Sequence, residues 1–164
     1  MEYPYIPDAE IKRLYNELTV PGLIDHIVRI EEPISIDFLL KRICFVYGRT
    51  KVTNVVKTLF EEDLKELDLI NKDGFLSTKT HTNLSLRLNS NRNIEHVHIL
   101  ELEDAIYNIV KKSNGIEKDG CFKTVAKLLG YSRMSENAYD YLQNALVFLM
   151  LEGKVIEKDG RLYV

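Results

Sequence analysis

Apolar residues recur along this chain in short bursts of helical spacing, each closed by a polar or proline/glycine break. Ile11, Leu14, Tyr15 and Leu18 fall on one face after Asp8, which predicts a helix over 9–18 capped by Asp8 and broken by Pro21-Gly22. Leu23, Ile24, Ile27 and Val28 predict a second helix. Glu32-Pro33 ends it, because the residue before proline avoids helical angles. Ile34-Ser35-Ile36 is a short extended segment. Leu39, Leu40, Ile43 and Val46 mark a third helix with Asp37 as its cap and Gly48 as its stop. Val55, Val56, Leu59, Phe60, Leu64 and Leu67 mark a fourth. Leu69 to Lys72 and Phe75-Leu76 then flank Asp73-Gly74, a pair suited to a two-residue hairpin turn.

The same pattern then returns. Ile27-Val28 recurs as Ile109-Val110, Asp37 as Asp119, Lys41 as Lys123 and Gly48 as Gly130, always 82 residues on. Lys72-Asp73-Gly74 recurs as Lys158-Asp159-Gly160, 86 residues on, so four residues are gained inside the second copy. In that copy Leu102, Ile106, Ile109 and Val110 begin the plan. Cys121, Phe122, Val125, Leu128 and Leu129 continue it behind Asp119, and a helix over 137–151 precedes the hairpin. A period this long, seen twice, predicts two small modules of one kind. Three helices, a short strand and a terminal hairpin are the parts of a winged-helix module. The predicted class is therefore α+β, mostly α, with a helical arm over 1–22, modules over 23–78 and 99–164, and a polar linker over 79–98. Within that linker Leu84 to Leu88 alternates as one possible strand.

Composition narrows the function. The chain has 164 residues, 45% of them hydrophobic, which suffices for two small cores. No apolar run is long enough for a bilayer and no signal-peptide pattern is present. Cys44 and Cys121 sit at core spacing and read as reduced thiols of a cytoplasmic protein. The net charge of −3 argues against a strongly basic nucleic-acid binder, but its distribution is uneven. Phe38 to Phe60 holds Lys41, Arg42, Arg49, Lys51 and Lys57 without an acid, and Gly120 to Ser135 holds Lys123, Lys127 and Arg133 without one.

Catalytic chemistry finds little to stand on. No phosphate-cradling glycine loop occurs, so the chain by itself runs no ATPase cycle. His96-Val97-His98 could ligate a metal from a strand, but no third ligand stands near it, and a solvated linker is the expectation. Asp37 and Asp119 read as caps, Asp73 and Asp159 as turn residues. No enzyme activity, cofactor, metal or small-molecule ligand is expected. The candidate contacts are instead Arg49, Thr50, Lys51, Asn54 and Lys57 in the first copy and Ser132, Arg133, Ser135 and Asn137 in the second. They occupy the turn before each third helix and its first exposed residues, where a helix-turn-helix meets phosphate or base edges. Lys72, Lys158 and Arg161 would lie on the two hairpins. Glu61, Glu62, Glu136 and Asp140 oppose this reading, because they repel phosphates.

Two stretches carry a family likeness. One is Ile27-Val28-Arg29-Ile30-Glu31-Glu32-Pro33-Ile34 with Phe38 to Ile43 and Gly48-Arg49-Thr50. The other is Val125 to Arg133 with Glu152 to Leu162. Over roughly 23–164 the chain resembles the C-terminal domain of unknown function of large bacterial superfamily I helicase-related proteins. That resemblance implies a piece of a larger polypeptide, with helicase motor and restriction-endonuclease-like domains upstream. Members often carry a tryptophan and a more basic turn near Tyr47-Gly48-Arg49, and this chain has no tryptophan. The expected function is a non-catalytic accessory domain that contacts the backbone of duplex or forked DNA. The rival is a protein-docking module that packs on the motor or nuclease domains or on another subunit.

Overall fold

The structure is a computed structural model that describes residues 1–80 and 84–164. Two compact units emerge: Pro4–Thr82, and Asn83–Val164 together with Met1–Tyr3. The class is α+β. Among the described residues there are seven helices and two three-stranded antiparallel sheets.

The first unit opens with α1 (Asp8–Tyr15), which buries Ile11 and Leu14. Tyr15 turns outward and meets Phe45 edge-on at 5.5 Å. Pro21-Gly22 does not break a helix here. It starts one: α2 (Val20–Glu31) has Thr19 as its N-cap, accepting from the Gly22 N–H at 3.1 Å, and proline is at home in a first turn. Glu32 is extended, as its place before Pro33 predicts, and β1 (Ile34–Ser35) leads into α3 (Ile36–Ile43). The cap of α3 is Ser35, not Asp37. Ser35 Oγ accepts from the Phe38 N–H at 3.3 Å, and Asp37 lies exposed in the first turn. A 3-10 turn (Cys44–Tyr47) closes on Gly48 with φ 69°. Next comes α4 (Asn54–Leu64), capped by Thr53. It buries Val56 and Phe60, whereas Val55 and Leu59, expected inside, face solvent. β2 (Leu69–Lys72) and β3 (Phe75–Thr78) join through Asp73 (φ 53°) and Gly74 (φ 78°), the paired left-handed angles of a tight hairpin. The sheet order is β1-β3-β2, with Ile34 opposite Leu76.

The second unit repeats this order. α5 (Ile99–Lys112), β4 (Ile116–Glu117), α6 (Lys118–Leu128), α7 (Glu136–Leu151), β5 (Ile156–Lys158) and β6 (Arg161–Tyr163) follow in turn. Its sheet runs β4-β6-β5, with Ile116 opposite Leu162. Glu117 takes the N-cap place of α6 without a side-chain bond, so Asp119 is a first-turn residue and not the expected cap. The caps Thr53 and Ser135 still differ by 82, while the facing residues Leu76 and Leu162 differ by 86. The four added residues therefore lie between cap and hairpin. α7 has 16 residues where α4 has 11, so they lengthen the helix by about one turn.

Segment 84–98 is no solvated linker. Leu86, Ile94 and Val97 join the core of the second unit, and Arg87, Arg92, His96 and His98 are buried. The expected strand over 84–88 reduces to one bridge, Leu88 with Glu2. The Leu88 N–H donates to the Met1 carbonyl at 2.6 Å, and the Leu88 carbonyl accepts from the Tyr3 N–H at 3.2 Å, so residues 1–3 complete this unit.

Candidate nucleic-acid interface

In the first unit the left-handed Gly48 redirects the chain so that Arg49, Thr50 and Lys51 stand exposed before α4. Thr53 Oγ1 accepts from the Val56 N–H at 3.3 Å, which pins the start of the helix. Asn54 and Lys57 then project from its first two turns and are exposed. Lys57 borders a cleft of about 210 Å³ with Asn71 and Gly74 of the hairpin, but Glu61 and Asp37 share it. Lys72 is exposed at the end of β2. Beyond Lys57, α4 carries Glu61, Glu62 and Asp63, and Asp63 accepts the Tyr47 hydroxyl at 2.7 Å.

The second unit places Ser132 and Arg133 in the matching turn, both exposed. Arg133 and Lys51 each stand two residues before a helix cap, the one cationic position that both turns share. Ser135 is that cap. Its Oγ accepts from the Ala138 N–H at 3.0 Å and is committed to the helix. Asn137 Nδ2 donates to Glu95 at 3.3 Å. Arg133, Ser135 and Asn137 converge on a polar recess of about 310 Å³, whose opposite wall is Asn91 to Glu95. On the second hairpin Lys158 is exposed, while Arg161 donates to the Gly115 carbonyl at 3.3 Å. Arg161 also lies in a cleft with Glu117, Asp119, Glu157 and Asp159, an acidic setting for a phosphate contact.

The recess wall comes from a segment in which no binding residue was expected. Arg92 is 3% exposed there. Its terminal nitrogens donate to Glu101 at 3.2 and 2.8 Å, and Arg87 reaches the same carboxylate at 2.6 Å. The Tyr3 ring lies 4.5 Å from the Arg92 guanidinium and 4.8 Å from that of Arg87. Burial pushes the Glu101 carboxyl upward, but the hydrogen bonds and charges of the two arginines outweigh it and hold the group below its ordinary range. Tyr131 donates its hydroxyl to the Arg92 carbonyl, and burial raises its pKa to about 12.

Other chemistry-bearing residues serve the fold. His98 caps α5, its Nδ1 accepting from the Leu100 N–H at 3.2 Å. Among the described residues no three His, Cys, Asp or Glu side chains gather to hold a metal. Both cysteines are buried, and burial raises the Cys121 thiol to about 11, away from the thiolate a nucleophile needs. No helix among the described residues is long and apolar enough to cross a membrane.

One further surface departs from a phosphate-binding pattern. α7 contains no lysine or arginine, and its added turn exposes Val147, Phe148, Met150 and Leu151, with Phe148 at 49% and Leu151 at 79%. The chain matches no family model, no curated protein and no solved structure.

Proposed function

We propose that each unit is a winged-helix module and that the pair forms a non-catalytic accessory domain of a helicase-related DNA-processing protein. It contacts the backbone of duplex or forked DNA through the turns before α4 and α7. The observation that carries this reading is the shared placement of Lys51 and Arg133, exposed two residues before a helix cap in both copies. Neither forms an ion pair within the described residues, so both charges are available to phosphate. The acids along α4 and α7 restrict contact to the helix starts and favour backbone over base reading.

A second reading has its own support. The added turn of α7 exposes four large apolar side chains in a row of five, a surface suited to protein contact. It would dock on the motor or nuclease domains that the sequence likeness implies.

One experiment separates the two. Duplex and forked DNA binding is measured by fluorescence anisotropy at low and moderate salt for the wild type, for Arg49→Glu/Lys51→Glu/Arg133→Glu, and for Phe148→Asp/Leu151→Asp. The DNA reading expects salt-sensitive binding that the first variant loses and the second retains. Binding that is absent, or unmoved by salt and by the charge reversals, refutes it. Loss of co-purification with the motor domains in the Phe148→Asp/Leu151→Asp variant alone establishes docking instead.

A further inference from the structure

We infer that the cleft between α5, α7 and Leu84 is a binding site for an organic cation on an alkyl chain, a protonated amine of the lysine side-chain kind. It lies apart from the turns assigned to DNA and does not depend on that reading.

The cleft encloses about 440 Å³, within the roughly 300–1,000 Å³ typical of ligand sites. Leu100, Glu103 and Tyr107 follow one another on α5 at spacings of three and four, so one face of the helix lines it. Leu84 and Leu149 add apolar wall. Such walls shelter methylene groups but give a charge nothing to pair with.

Glu103 supplies the independent observation. It is 9% exposed, and its carboxylate has no hydrogen bond and no ion pair among the described residues. Both oxygens nonetheless keep accessible surface, and the residue lines the cleft, so the carboxylate opens into it and is not sealed in the core. The charged neighbours are committed elsewhere. Asp104 accepts from Asn108 Nδ2 at 2.9 Å and from the Leu86 N–H at 3.3 Å, one bond to each oxygen. Lys154 Nζ, at the rim, lies 2.7 Å from the Glu152 carboxylate, and Lys111 lies over the Tyr107 ring at 5.6 Å. Burial pushes the Glu103 carboxyl upward, the Glu152 charge adds to this, and Lys154 opposes it. A carboxylate left unpaired in an apolar setting costs free energy that an incoming cation recovers. Among the described residues no three His, Cys, Asp or Glu side chains gather to hold a metal, whereas an ammonium needs one carboxylate and lays its stem on the leucines.

The test titrates the full chain with pentylamine, with its neutral counterpart pentanol, with ammonium chloride and with Nα-acetyl-lysine methylamide, followed in amide NMR spectra. Pentylamine should give saturable shifts at residues 100–107 and 149–154. Its affinity should exceed those of pentanol and ammonium about tenfold or more, equivalent to one hydrogen bond to a charged group. Glu103→Gln should remove that advantage, and Lys154→Met, which takes a competing cation from the rim, should keep or tighten binding. In the wild type the Glu103 carboxyl, followed by its side-chain carbon shift, should titrate at lower pH with pentylamine bound. Binding of the blocked lysine as tight as that of pentylamine assigns the site to a protein side chain; binding of pentylamine alone assigns it to a free amine. Shifts that do not saturate, equal affinity for amine and alcohol, or a Glu103 titration unmoved by pentylamine overturns the inference.

Discussion

Glu101 is 0% exposed and holds two arginines, so its charge is both costly and indispensable. Removing one partner of such a cluster leaves buried charge uncompensated, typically about 3–5 kcal/mol. Glu101→Gln should lower the stability of the second unit by an amount of that order in urea titrations. The sign of its pH dependence follows from the depressed carboxyl. Stability from this group is complete above its ordinary value of 4.5 and drains away as pH falls through the lower folded value. Wild-type protein should therefore lose melting temperature between about pH 4.5 and strongly acidic pH, and the Gln variant should lose less across the same window. A variant that melts with the wild-type slope and midpoint would show the cluster to be neutral. Glu31 plays the corresponding part in the first unit. It accepts from Arg42 at 2.6 Å and from the Ile6 N–H at 2.7 Å, with the Tyr5 ring 4.4 Å from the guanidinium.

Elements follow local chemistry where one signal dominates. The apolar spacing of Leu39, Leu40 and Ile43 or of Leu142, Ala145 and Leu146 finds its helix and its buried face, and Asp-Gly finds both hairpin turns. Reading fails where two neighbours compete for one role. Ser35 and Asp37 are both good caps, and the choice depends on β1, whose pairing with β3 holds Ser35 extended. Ser35→Ala should cost about 1 kcal/mol and Asp37→Ala a few tenths, read from thermal melts of single variants. The reverse ranking would return the cap to Asp37. The cationic turns were legible because they lack acids over a long window. The recess beside Arg133 was not, because its far wall comes from a segment whose polar composition resembles a linker. Arg87 and Arg92 are buried there only because Glu101, in α5, accepts both. No periodicity encodes a partner 14 residues away. The gained residues were visible as a change of offset, but their addition to α7 required the helix ends to be seen.

At the scale of the whole molecule, the duplication yields two cores, each with its own apolar cluster. The division does not follow chain order, since Met1–Tyr3 belongs with the second unit. Deleting residues 1–3 should therefore destabilise the second unit. Hydrogen exchange should speed up at Leu88, whose N–H loses the Met1 carbonyl, while amides of α2 and α3 keep their protection. Faster exchange confined to residues 4–80 would contradict the assignment.

Synthesis and assembly consequently run in different orders. Met1–Tyr3 are translated before the backbone they bond, at Leu88, which follows roughly 4–18 s later at ordinary elongation rates. The nascent chain must carry residues 1–3 unplaced through the folding of everything between, and the second unit closes around a segment translated before any of it.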